Sequence, residues 1–200
     1  VSSTDSPSVQ KESTQDVTDV AIAQIHGYDY KYYQAQHMDG YYDTWIRPHI
    51  LASLLKNYDF VITLDADVTA THLEVPFEWL FNHWNITSRT SIALPWDVEE
   101  RRDNGDVISQ DSKGVQVFNA GFLIVQNLPH TFEMLKAWGE CPTEVRYKGC
   151  AHWKQNWSHE QRAFSEYIRY DFNPHGDEIV VSNLPSDILR LFLQNGTGRE

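Results

Sequence analysis

The stretch Tyr58–Val68, "YDFVITLDADV", decides how this chain is read. Its middle, FVITL, is a short, mostly β-branched apolar run with the length and composition of a strand buried in the centre of a sheet. It stops on two carboxylates one residue apart, Asp65 and Asp67. In an extended segment the side chains at i and i+2 point the same way, so both acids are expected to aim oxygen at one point beyond the strand. One hard cation suits that arrangement: Mg2+ or Mn2+ takes one or two carboxylates and completes its shell with water and substrate phosphates. Without a cation, two close carboxylates would push one of the pair toward its neutral form. A bare D-x-D is also an ordinary way to end a strand and begin a turn. Its position directly after an apolar strand favours the metal-diphosphate reading.

Working outward, "TWIRPHILASLLKNY" repeats Ile46, Ile50, Leu54 and Leu55 at helical spacing, with Pro48 in the first turn and Thr44 placed to cap it. Upstream, "DVTDVAIAQIHGYDYKYYQAQ" predicts a short helix stopped at Gly27. An aromatic strand follows it, in which Tyr28, Tyr30 and Tyr32 alternate with polar residues. Downstream come a helix over "PFEWLFNHW", a buried strand over "SIALPW" and a long charged loop, Val98 to Gly114. "GVQVFNAGFLIVQN" reads as two extended runs broken at Asn119 to Gly121, and "PHTFEMLKAWGE", "SHEQRAFSEYIRY" and "PSDILRLFLQ" as amphipathic helices. No internal repeat is present. Helices alternating with short apolar strands predict an α/β fold, a mixed and mostly parallel sheet flanked by helices. Ligands collect at the carboxyl ends of the strands in such sheets.

Two hundred residues, 41% of them apolar, suit one compact domain. Residues 17–200 are expected to form it, behind a polar Ser/Thr-rich arm over residues 1–16. With 28 acidic against 16 basic side chains and a formal charge of -12, the chain would repel a phosphate backbone, which argues against nucleic acid as a partner. No apolar run reaches eighteen residues, so no bilayer span is expected here. The start at Val1 suggests a segment of something longer. Cys141 and Cys150 flank a polar, turn-like stretch; a local disulfide and two separate thiols fit that spacing equally. Three N-x-S/T sequons, at Asn85, Asn156 and Asn195, point toward an oxidising secretory compartment.

Taken in order, "TWIRPHILASLLKNYDFVITLDADV", "ALPWD", "FNAGFLIVQN" and "HEQRAF" resemble nucleotide-sugar-dependent glycosyltransferases of the GT-A fold, a Rossmann-related architecture. The likeness runs from about Val17 to Phe172 and is nearest to retaining groups, the fungal α-galactosyl/mannosyltransferases and their glycogenin-like relatives. It implies that Asp67 is the principal ligand of a divalent cation, usually manganese. Asp65 would share the metal and the ribose, with Ala66 between them in the donor site. It implies further that Arg47 faces the donor diphosphate or sugar, and that Asn119, Ala120 and Gly121 form the family's N-x-G turn against the donor. Asp97, beside Trp96, falls at the active edge. Glu160 and Gln161 match an acidic-Gln pair that contacts the transferred sugar or the reacting face, although Ser158 to Gln161 also spell a capping box. His175, in "NPHGDE", is the candidate third metal ligand. The strand that binds the nucleobase in this fold has no apolar counterpart before Val17, so the domain is expected to lack it.

The activity so implied is transfer of a hexose from a nucleotide diphosphate sugar to a glycan or protein hydroxyl. The setting would be the Golgi lumen, as a type II membrane protein whose anchor lies outside this segment. A different class, a non-catalytic transferase-like module that binds sugar or a partner without turnover, uses the same residues. A nucleotidyltransferase would want a Gly-rich basic loop for the triphosphate, and none is found near the start of the chain.

Overall fold

In the computed structural model, residues 14–33, 37–182 and 193–195 are described. The chain enters through α1 (Thr14–His26), crosses a 3-10 turn at Asp43–Ile46 and continues into α2 (Arg47–Leu54). Then follow β1 (Phe60–Leu64), β2 (Val68–Ala70), α3 (Phe77–His83), β3 (Ile92–Pro95), β4 (Phe122–Gln126) and α4 (Pro129–Glu140). A last helical run opens with α5 (His159–Ala163) and passes through a π-turn at Phe164–Ile168. The chain then reaches β5 (Ile179–Ser182) and β6 (Leu193–Asn195).

Four strands form the main sheet in the order β1-β4-β3-β5, while β2 and β6 pair in a second, small sheet. β4 runs antiparallel to both β1 and β3, and β3 and β5 are parallel. Three of the four strands therefore share one direction, yet two of the three ladders are antiparallel because β4 is inserted between β1 and β3. The carboxyl ends of β1, β3 and β5 and the amino end of β4 meet at one edge of the sheet.

Strand alternation divides the core into two layers. Ile92 and Leu94 of β3 and Leu123 and Val125 of β4 face a layer that includes Trp45, Leu51, Met134, Leu135, Trp138 and Phe164. Ala93, Phe122 and Ile124 face the other layer, with Ile22, Phe77, Leu80 and Trp84. Strands buried on both faces carry apolar residues at every position, which is why SIALPW and FLIVQ show no polar alternation.

Several expectations need correction. FVITL is a strand but lies at the edge of the described sheet, and only Val61 in it is fully buried. The segment after α1 turns at Gly27, whose φ of +76° is glycine territory. Tyr28 to Tyr33 then run outside any described ladder, with Tyr30 and Tyr32 exposed. An alternating pattern does not make a strand where no described strand runs alongside to complete a ladder. α1 begins at Thr14, inside the segment expected as arm. The helix expected over Pro185–Gln194 lies mostly outside the described residues; its last two positions, Leu193 and Gln194, are in β6. Ser158 makes no side-chain cap on α5, so the capping box does not form.

Cys141 and Cys150 form a disulfide, with Cα atoms 5.7 Å apart, that ties the end of α4 to the segment before α5. No described helix is long and apolar enough to cross a membrane.

Candidate functional site

At the end of β1 the chain leaves the main sheet for the small one, and the D-x-D acids occupy that junction. Asp65 N–H still donates to Gly121 O at 2.8 Å, continuing the β1–β4 ladder by one step. Val68 N–H then donates to Asp65 O at 2.9 Å, closing a turn over Asp65–Val68 before β2 begins. Asp65 and Asp67 thus sit on a turn, not on the extended segment expected of them. Asp65 is half-exposed, and Ala66 and Asp67 are exposed. Among the described residues nothing hydrogen-bonds or pairs with the Asp67 carboxylate.

Asp65 is fixed from behind. Arg47, at the start of α2, donates through Nη2 to Asp65 Oδ1 and through Nη1 to Glu160 Oε1. Glu160 is 2% exposed. Its other oxygen accepts from Thr44 Oγ1, and its carbonyl accepts from Trp138 Nε1 at 2.8 Å. Burial raises the Glu160 carboxyl above the ordinary carboxylate value, and Arg47 and Thr44 pull it back down. With both oxygens engaged out of reach of solvent, Glu160 is committed to Arg47 and Thr44, an arrangement unlike the sugar contact the resemblance implied. It holds Arg47, and Arg47 orients Asp65. Thr44 likewise serves Glu160 and does not cap α2.

A second set of bonds links the ends of β3 and β4. Asp97 Oδ1 accepts from Asn119 Nδ2 at 2.9 Å and from Val98 N–H at 3.0 Å, and its Oδ2 accepts from Gln161 Nε2 at 2.8 Å. Burial pushes the Asp97 carboxyl up, against the lowering effect of these donors. Gln161 Oε1 accepts from Ala120 N–H at 2.8 Å, so Gln161 also works as a brace with both ends of its amide committed. Asn119 Oδ1 accepts from Gly121 N–H at 2.8 Å. A Cβ on Gly121 would stand 2.9 Å from Asn119 Oδ1 and 3.4 Å from Asp65 Oδ2, so only glycine lets these two side chains approach the backbone. Trp96 leans on Phe118, their rings 4.9 Å apart, as part of the core wall.

The edge therefore gathers Arg47, Asp65, Asp97, Asn119, Ala120, Gly121, Glu160 and Gln161 into contact, with Ala66 and Asp67 beside them. His175 is not among them. It precedes β5, and Glu178 O accepts from Ser91 N–H at the start of β3, so His175 stands at the opposite edge of the sheet, paired with Glu178. It does not join Asp65 and Asp67 in a ligand set. Among the described residues no group of three His, Cys, Asp or Glu side chains is arranged to hold a metal. The donors present do suit a hard cation that draws its remaining ligands from water and phosphate: an unpartnered Asp67 beside an oriented Asp65.

Sequence reasoning placed Thr44 as a helix cap and missed both its bond to Glu160 and the anchoring of the charged loop. Asp111, 6% exposed, accepts from Arg169 and Tyr170 through Oδ2 and from the N–H groups of Lys113 and Val115, each at 2.9 Å, through Oδ1. The base of the loop is thereby pinned to the last helical run. Nothing in the local pattern of a charged loop distinguishes Asp111 from its solvated neighbours.

Among solved structures, a glycosyltransferase involved in the glycosylation of the major capsid of PBCV-1 matches with a TM-score of 0.63 at 13% identity, over 93% of this chain and 85% of that one. Mouse xyloside xylosyltransferase 1 in its apo form matches with a TM-score of 0.47 at 14% identity, over 92% of this chain and 72% of that one, a likeness too distant to carry an argument. No protein-family model matches the chain, and no curated protein matches its sequence. The protein is a mixed α/β domain with the GT-A type of fold.

Proposed function

We propose that this protein transfers a hexose from a nucleotide diphosphate sugar to a hydroxyl of a glycan or glycoprotein, with Mn2+ or Mg2+ held by Asp65 and Asp67. The observation that carries this reading is the meeting of Arg47, Asp65, Asn119 and Gly121 at one sheet edge of a GT-A-type fold, next to an uncommitted Asp67. A bound cation supplies Lewis-acid stabilisation of charge on the leaving nucleoside diphosphate. The chain's own part is positional. Glu160 and Thr44 set Arg47, Arg47 sets Asp65, and Gly121 leaves room for a ligand and the Asn119 amide to approach the backbone. The Asp97–Asn119–Gln161 bonds keep the wall beside the reacting centre in one geometry.

The order of the motifs supports the retaining groups named above as nearest in kind. The disulfide and an exposed sequon at Asn85 support a secretory-lumen setting, the Golgi above all, for the whole protein. The test is hydrolysis of UDP- and GDP-hexoses with and without Mn2+. Metal-stimulated release of free hexose is expected, and Asp67→Asn should lower it on the order of a hundredfold. Metal-dependent nucleotide binding with no turnover of any donor would overturn the enzyme reading in favour of a binding module.

A further inference from the structure

Asp97 of this network also lines a cleft. The cleft has a volume of about 340 Å3 and lies between the charged loop and residues 152–158. Glu100 and Arg102 enter from the loop side, and His152, Trp157 and Arg162 from the other. The volume falls in the range of small-ligand pockets.

Two features separate this hollow from ordinary surface. Trp157 is 71% exposed, a large apolar area left in water on a segment that is otherwise well held. Its neighbour Asn156 donates to His152 O at 2.6 Å, and the Trp157 ring meets His159, which is itself stacked on Tyr42 at 3.6 Å. The indole is thus exposed on a fixed support. The second feature is uncommitted polarity: among the described residues no hydrogen bond or ion pair engages the Glu100 carboxylate, the Arg102 guanidinium or the His152 ring nitrogens. By contrast Arg162 donates to Ile108 O and lies 3.5 Å from Glu166, so it serves as wall.

A flat indole flanked by a planar carboxylate and a planar guanidinium fits a pyranose. The C–H face of the ring covers the indole, and neighbouring hydroxyls reach the two forked groups in pairs. The charges do not favour a phosphate, because Glu100 and Asp97 stand in the same hollow as the cations and would repel its oxygens. We propose that this cleft is the acceptor site, taking a hexopyranoside with its C–H face on Trp157, its hydroxyls on Glu100 and Arg102, and its free end toward Asp97. The proposal rests on the transferase reading for the word acceptor. Sugar binding in the cleft is tested without nucleotide or metal, so the two can fail separately.

The experiment labels the tryptophan indoles of the full chain for NMR, assigns Trp157 with Trp157→Phe, and titrates methyl α-mannoside, methyl α-glucoside and methyl β-galactoside. At least one glycoside is expected to move the Trp157 signal saturably, and Arg102→Ala and Glu100→Gln are each expected to weaken that affinity about tenfold. By calorimetric titration of the same glycosides, Trp157→Ala should abolish binding while Trp157→Phe retains it. UDP and GDP with Mn2+ should leave the Trp157 signal in place. The proposal is overturned if no glycoside moves that signal, if the two polar variants bind as well as wild type, or if a nucleotide displaces the sugar from Trp157. Failure of nucleotide binding alone would sink the transferase reading and leave the sugar site standing.

Discussion

Arg47→Ala removes the one cation that stands between Asp65 and Glu160, and the loss can be worked from the structure. Arg47 is 12% exposed and Glu160 3% exposed at the side chain, against 41% for Asp65. The Arg47–Glu160 contact is therefore the buried half of the triad. Removing one partner of such a pair leaves an uncompensated charge and costs about 3–5 kcal/mol. For a chain of this size that is a fall in Tm of roughly 6–20 °C. The pH dependence is the sharper signature. Glu160 already has a folded-state pKa above its unfolded value, so its neutral form is favoured in the fold. Stability from that preference is present in full below the unfolded pKa and is lost as pH rises through the folded one. Without Arg47 the folded pKa climbs further. The deficit of Arg47→Ala should thus be small near pH 4, where both proteins carry a protonated Glu160, and grow as pH rises toward neutrality. Adding Glu160→Gln to Arg47→Ala should restore more than half of the loss at neutral pH, since an amide costs far less to bury than a lone carboxylate. Urea unfolding across this pH range on the wild type, both single variants and the double variant measures each quantity. An equal deficit at acid and neutral pH, or a double variant no more stable than Arg47→Ala, would refute the reasoning.

Gly121→Ala places a methyl group against Asn119 Oδ1 and Asp65 Oδ2. It should cost about 1–3 kcal/mol by calorimetry and weaken donor-sugar hydrolysis beyond what that loss explains. Replacing both Cys141 and Cys150 with serine, or adding reductant, releases the link of nine residues and should lower stability by ~3 kcal/mol in denaturant unfolding. Asn85 is exposed at the end of α3 with a φ of +53°, whereas the Asn156 amide is bonded to His152 O within the wall of the cleft. Peptide mapping after expression in a secretory host should find glycan on Asn85 and none on Asn156.

What the sequence disclosed follows from which interactions are local. The strands over IALP and FLIVQ were legible because a strand covered on both faces must be apolar throughout. The helix Pro129–Glu140 was legible because one face carries Met134, Leu135 and Trp138 at helical spacing. The edge position of FVITL was not, since it depends on β4 returning antiparallel between β1 and β3, a pairing across some sixty residues of chain. That Asp65 and Asp97 meet at one edge was anticipated from their places at strand ends, and that Arg47 and the Asn119–Gly121 turn join them was implied by the family resemblance. Their hydrogen bonds were not. Thr44 reaches a carboxylate 116 residues away, and no local spacing announces that. His175 misled for the same reason, a metal-binding residue type placed by the fold at the wrong edge. Tyr28, Tyr30 and Tyr32 had the rhythm of a strand, yet they join no described ladder.

Calorimetric titration of UDP and GDP into the wild-type chain and into Asp67→Ala, each with and without Mn2+, puts the central claim to the most direct test. The account predicts binding of one nucleotide that requires the cation and disappears in the variant. Binding of the same strength without Mn2+, or undiminished binding by Asp67→Ala, would contradict it.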